Sequence, residues 1–123
     1  MRYTTVAESR TAGVAYHLAP SDVWERQKDA PEYLPEAFDD DGFIHCTNGL
    51  QELLAVANRY YAADKRPYRA LILKVEKIES PVQYDDPEET FPHIYGPLNT
   101  SAVVGMLDAK RDEDGTFISF FRR

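Results

Sequence analysis

Asp41-Gly42-Phe43-Ile44-His45-Cys46-Thr47-Asn48-Gly49-Leu50-Gln51 runs from a turn through a short strand into the first turn of a helix. Asp39-Asp40-Asp41-Gly42 is the turn: aspartates bond their own backbone, and glycine accepts a left-handed conformation without steric cost. Phe43 to Cys46 predicts a strand. Asn48 then predicts an N-cap, with Gln51 three residues on at capping-box spacing. Leu50, Leu53, Leu54, Ala57 and Tyr61 recur at i, i+3, i+4, i+7 and i+11, the stripe of an amphipathic helix laid on a core.

The flanks supply the layer that this stripe needs. Upstream, Val14 to Leu18 predicts a strand that ends near His17. Ser21 is placed to cap a short helix running to about residue 29, and Asp22 and Glu25 suit its positive end. Pro31 and Pro35 stop it. Downstream, Lys65-Arg66-Pro67 ends the long helix, and Ala70 to Val75 has the length and content of a buried strand. Val82 to Tyr84 predicts a weaker strand, followed by a solvated acidic loop from Asp85 to Glu89. Phe91 to Pro97, bracketed by prolines, predicts an ordered but irregular segment. Ala102 to Leu107 and Thr116 to Phe121 predict two more strands, with Gly115 turning the chain between them. The last of these suits a sheet edge. Strands and two main helices in this order predict an α+β domain over residues 13–123, preceded by a flexible arm at 1–12.

Composition bounds the function. At 123 residues the chain has room for one core. Fourteen basic against twenty-one acidic residues give a net charge of −7, which opposes non-specific binding to nucleic acid. No apolar run reaches the roughly 18 residues that cross a membrane, and the opening residues lack a secretory h-region, so a cytoplasmic location is expected. The single cysteine, Cys46, excludes an internal disulfide.

The three histidines, His17, His45 and His93, fall at element junctions, where acid–base groups and ligands gather. If the first two strands are neighbours, His17 and His45 emerge on one rim. Thr47, Asn48 and Gly49 open the long helix, whose free N–H groups could receive a phosphate or carboxylate. His93 and Tyr95 share a face if extended, and Tyr95 could bond or stack on a ligand, with Gly96 beside it. Several readings stay open: a catalytic cleft; a binding module without chemistry; a metal-assisted hydrolase using all three imidazoles; or structural histidines beneath a protein-interaction surface. The histidine spacings of 28 and 48 residues match no local metal motif. Cys46 beside a helix start is a candidate nucleophile, but its neighbour His45 points to the opposite face.

Three stretches taken together carry a resemblance: Tyr16-His17-Leu18 with Trp24; Asp41 to Thr47 with Gln51; and Phe91-Pro92-His93-Ile94-Tyr95-Gly96-Pro97-Leu98. From about residue 14 to residue 121 the chain resembles a small bacterial family of unknown function, number nine hundred and fifty-two. The resemblance implies a compact split β-sheet similar to that of ADP-ribosyltransferases, which cleave NAD at the nicotinamide–ribose bond. It implies His17 at the ribose of NAD, His45 near the nicotinamide, and a small-molecule nucleotide as partner. Together with the reading of the residues above, His17, His45 and His93 are the candidate catalytic residues, and Thr47, Asn48, Tyr95 and Gly96 the candidate cofactor contacts. The chain departs from that superfamily at Asn99 to Val103, where no carboxylate stands in place of the usual glutamate.

Overall fold

Alternation along the first strand sets the layers. In a computed structural model describing residues 11–122, β1 (Val14–Pro20) sends Ala15 and Ala19 into one core and Tyr16 and Leu18 into another. Its antiparallel partner β4 (Tyr68–Lys74) does the same, with Leu71 and Leu73 on one side and Tyr68 and Ala70 on the other. A strand buried on both faces reads as a continuous apolar run, which is how Ala70 to Leu73 reads. β8 (Val103–Arg111) and β9 (Phe117–Phe121) extend this sheet in the order β1-β4-β8-β9, leaving β9 on an edge.

One face of the sheet carries the long helix α3 (Leu50–Tyr60), named after the short helices α1 (Ser21–Gln27) and α2 (Phe38–Asp41). All five residues of the predicted stripe pack there with Phe117 and Leu107. The opposite face carries α1, through Val23 and Trp24, and a three-stranded sheet of order β3-β6-β5. Its strands are β3 (Ile44–His45), β5 (Val82–Tyr84) and β6 (Pro92–Ile94), and Ile44 and Ile94 fill the core between the sheets. A two-residue ladder of β2 (Glu32–Tyr33) with β7 (Leu98–Asn99) closes one end. The domain is thus α+β, with three helices and its sheets among the described residues.

The two main sheets are stitched at Thr47. Tyr16 and Thr47 exchange both backbone hydrogen bonds at 2.8 Å, while the flanking Cys46 and Asn48 amides donate to the carbonyls of Pro92 and Thr90. This stitch brings the first strand against the turn–strand–helix passage.

Several local expectations change. Asn48 is not the cap of α3: its side chain makes no cap hydrogen bond, its N–H belongs to the ladder with Thr90, and the helix starts one residue later, from Gly49 at φ 119°. That left-handed angle suits glycine. Ser21 is the first residue of α1, with Pro20 before it and no side-chain cap, because β1 runs on to Pro20 and takes the chain straight into the helix. His17 therefore lies in mid-strand. The segment around His93 is regular, since Pro92 to Ile94 pairs with strands on both sides. Proline needs no ladder donor if its carbonyl does the bonding, as Pro92 does with Cys46. The expected arm at 1–12 lies outside the described residues, apart from 11 and 12.

Candidate functional site

Register places His45 directly opposite His93 on the β3–β6 pair. Their ring centroids lie 5.7 Å apart, edge to face. Each imidazole is held by its own carboxylate. The His45 Nε2–H donates to Asp41 Oδ2 at 2.9 Å, and the His93 Nδ1–H donates to Asp85 Oδ2 at 2.7 Å. Asp85 also accepts the Tyr95 hydroxyl at 3.0 Å. A carboxylate accepting from one ring nitrogen fixes the tautomer, so in the neutral rings Nδ1 of His45 and Nε2 of His93 keep their lone pairs. Phe43 stacks on His93 at 4.2 Å and touches His45 and Tyr95 at 4.7 and 5.4 Å, packing the group from one side.

Local sequence explains each position. The single helical turn α2 ends at Gly42, φ 78°, and this reversal returns Asp41 to the side chain four residues on. Asp86 accepts the Thr90 and Phe91 amides, which shapes the acidic loop and holds its neighbour Asp85 beside β6. That loop is solvent-exposed, as expected, and its first residue, Asp85, is also tied to the site.

His17 stands behind this pair, buried. Its Nδ1–H donates to the His45 carbonyl at 2.7 Å, and its Nε2 accepts the Tyr33 hydroxyl at 3.0 Å. Both nitrogens are thus engaged. Burial pulls the His17 imidazole down to about 4; the His45 carbonyl opposes this and the His45 ring adds to it. Burial pushes the Tyr33 hydroxyl well up, so it remains a donor. The unfolded chain accepts a proton near the ordinary value of 6.5, which folded His17 refuses until about 4. His17 thus contributes stability that is complete above pH 6.5 and lost as pH falls toward 4. The loss is about 3 kcal/mol at one pH unit per 1.4 kcal/mol. Urea unfolding at pH 7 and pH 4.5 should show it, and His17→Gln should flatten the dependence. An unchanged slope in that variant would refute the assignment.

Two cavities meet at His45. The larger, about 470 Å3, is lined by His45, Cys46, Thr47, Val56, Tyr60, Tyr61, Phe91 and His93. The smaller, about 110 Å3, shares His45, Thr47, Val56 and Tyr61 and reaches inward to His17, Tyr33 and Asp41 beneath Pro35 to Ala37. The larger falls within the range of about 300–1,000 Å3 usual for small-molecule sites. Neither has a lysine or arginine among its lining residues.

The remaining predicted residues sort as follows. Thr47 is buried and lines both cavities. Asn48 lines neither, and the first turn of α3 already carries the Glu52 carboxylate. Tyr95 joins through Asp85. Gly96 lines neither cavity. Its φ of 150° and the approach of Ser80, whose Oγ would stand 2.5 Å from an added Cβ, account for a glycine there. Cys46 is buried at the cavity floor, and burial pushes its thiol far up, so it offers no thiolate. Among the described residues no group of three or more histidines, cysteines, aspartates or glutamates is arranged to hold a metal ion. Asp41, Asp85, Phe43 and Tyr33 were missed from sequence. The one available signal was Asp41 four residues before His45.

Fold and site together define an α+β domain whose cleft is lined by two carboxylate-held imidazoles facing each other across a strand pair. Over residues 18–106 the chain matches the family described as Protein of unknown function (DUF952), and it belongs to that family. It is similar in structure to protein CC0527 from Caulobacter crescentus. The crystal structure of that protein has a TM-score of 0.71 at 22% identity, covering 85% of this chain and 93% of that one. A double-mutant form gives the same figures. The solution NMR structure gives 0.66 at 23% identity, covering 84% and 90%. At these identities the likeness speaks for the fold. Comparison with curated proteins finds no match. No helix among the described residues is long and apolar enough to cross a membrane.

Proposed function

We propose that this chain is an acid–base enzyme acting on a nucleotide of ADP-ribose type, with His45 and His93 as its proton-transfer pair. The observation that supports this reading most is the cross-strand pair itself: two imidazoles 5.7 Å apart, each oriented through one nitrogen by a carboxylate. Such a pair suits hydrolysis or group transfer. One neutral imidazole takes the proton of the attacking water or hydroxyl as its oxygen bonds to the reacting carbon. The other, protonated, gives its proton to the leaving group as that bond breaks. Asp41 and Asp85 stabilise whichever ring is cationic. Thr47 at the cavity floor and the rings of Phe91, Tyr60 and Tyr61 are the groups available to a sugar and a base.

NAD is the cofactor implied by the resemblance to ADP-ribosyltransferases. Its ring and ribose suit an aromatic cleft of about 470 Å3, whereas no basic side chain lines the cleft to meet its pyrophosphate. On this reading the ring end seats at the imidazoles and the phosphates stay toward solvent. The absence of a carboxylate at Asn99 to Val103 has a structural counterpart: Asn99 is buried and bonds the backbone of Lys77 and Glu79, away from the cleft.

The test is an NMR titration with NAD that follows the histidine rings, with nicotinamide release measured alongside. Saturable shifts at His45, His93 and Thr47, with release above background, are expected. Shifts without release would leave a binding module, and no shifts at millimolar NAD would overturn the nucleotide reading.

A further inference from the structure

The charge around the cleft is one-sided. Asp41 sits on one flank of the imidazole pair and Asp85 on the other, each accepting a hydrogen bond from its ring. Asp39 and Asp40 extend the first flank, and Asp86, Glu88 and Glu89 the second. No lysine or arginine lines either cavity. Of the nearby cations, Arg66 is bonded to Asp64 and Glu36, while Arg59 lies at 5.4 Å over the ring of Tyr60, itself a cleft residue, without lining the cavity. Between the flanks, the cavity wall is aromatic, from Phe91, Tyr60 and Tyr61. Neither carboxylate lines the larger cavity, so each acts on it through the imidazole that it holds, and the electron-rich ring faces of the wall add a preference for cations.

We infer that the cleft between α3 and the β3–β6 strands takes a planar aromatic ligand carrying positive charge at the ring, and rejects the same ring bearing a carboxylate. The inference rests on the reading of this cleft as a ligand site and adds the charge class of the ligand. The ring lies among Phe91, Tyr60 and Tyr61, and its cationic group faces the carboxylate-held imidazoles. A nucleotide entering here leads with a cationic base and trails its phosphates.

Benzamidine, benzamide and benzoate have nearly the same shape and differ in charge, so they isolate this effect. Each is titrated into the full chain at pH 8 while the ring signals of His45 and His93 are followed. Benzamidine is expected to bind at least about tenfold more tightly than benzamide, and benzoate not to saturate. The advantage should shrink at about 1 M salt, where the Debye length is near 3 Å. Asp85→Asn, which removes the charge and keeps an acceptor for the His93 ring, should weaken benzamidine several-fold and benzamide by less. Equal binding of all three, or tighter benzoate, would overturn the charge preference while leaving the cleft as a ligand site. Binding of none, or shifts confined to residues outside the cleft, would overturn the ligand site as well.

Discussion

His93→Ala is expected to lower turnover by about 10²–10⁴-fold, the usual contribution of a positioned acid–base group, while the domain stays folded. The ring lies at the edge of the core, and β6 is anchored by the buried Pro92 and Ile94 on either side of it. What the variant removes is one of the two proposed proton-transfer groups, together with the partner of Asp85 and the platform for Phe43. His45→Ala should fall as far, and the double variant little further, because the two rings act as a unit. Asp85→Asn should cost less: an amide oxygen still accepts the Nδ1–H but no longer balances an imidazolium. The measurement is nicotinamide release from NAD for the four proteins, with circular dichroism to confirm folding. Undiminished turnover in the His93 variant would remove it from the mechanism.

Arg111→Met is expected to reduce the unfolding free energy by about 3 kcal/mol, since charge-assisted bonds contribute roughly 1.5–3 kcal/mol each and overlap here. Arg111 ends β8 and gathers the chain around it. Its Nη1–H donates to the Arg66 carbonyl at 2.6 Å, and its Nη2–H groups donate to the Ala62 and Gly115 carbonyls at 3.2 and 3.0 Å. The guanidinium also lies 4.1 Å from the centre of the Phe117 ring. It therefore joins the segment after α3 to the β8–β9 turn, and α3 forms one wall of the cleft. Gly115 permits this closeness: at φ 97°, an added Cβ would stand 2.1 Å from the Ala62 carbonyl oxygen. Arg111→Lys should rescue little, because one ammonium cannot span these carbonyls as a planar fork does. Urea unfolding checks the figure. A loss below about 1 kcal/mol in the methionine variant would show that the carbonyls find water instead.

The legible part of the fold was local. The stripe from Leu50 to Tyr61 and the run Ala70 to Leu73 declare themselves through periodicity and length, because burial on one face or on both leaves a pattern in the order of residues. Helix starts were less legible. Asn48 has the chemistry of a cap, but its backbone is held in the ladder with Thr90 and the cap position falls on Gly49; a partner 42 residues away has no local trace. The site was legible only by residue type. His45 and His93 stood out as histidines at element boundaries, whereas Asp41 and Asp85 looked like members of ordinary acidic turns.

What the amino-acid order determined by itself was the set of parts: an α+β chain, an amphipathic helix, buried strands, a net charge that opposes polyanions, and three histidines. What tertiary structure alone decided was which parts meet. Strand register set His45 against His93, the Tyr16–Thr47 stitch drew His17 beneath them, and the acidic loop delivered Asp85 to the ring of His93. Periodicity and capping are short-range and leave a record in neighbouring residues. Register between distant strands depends on burial shared by the whole core, and that quantity exists only once the chain has closed on itself.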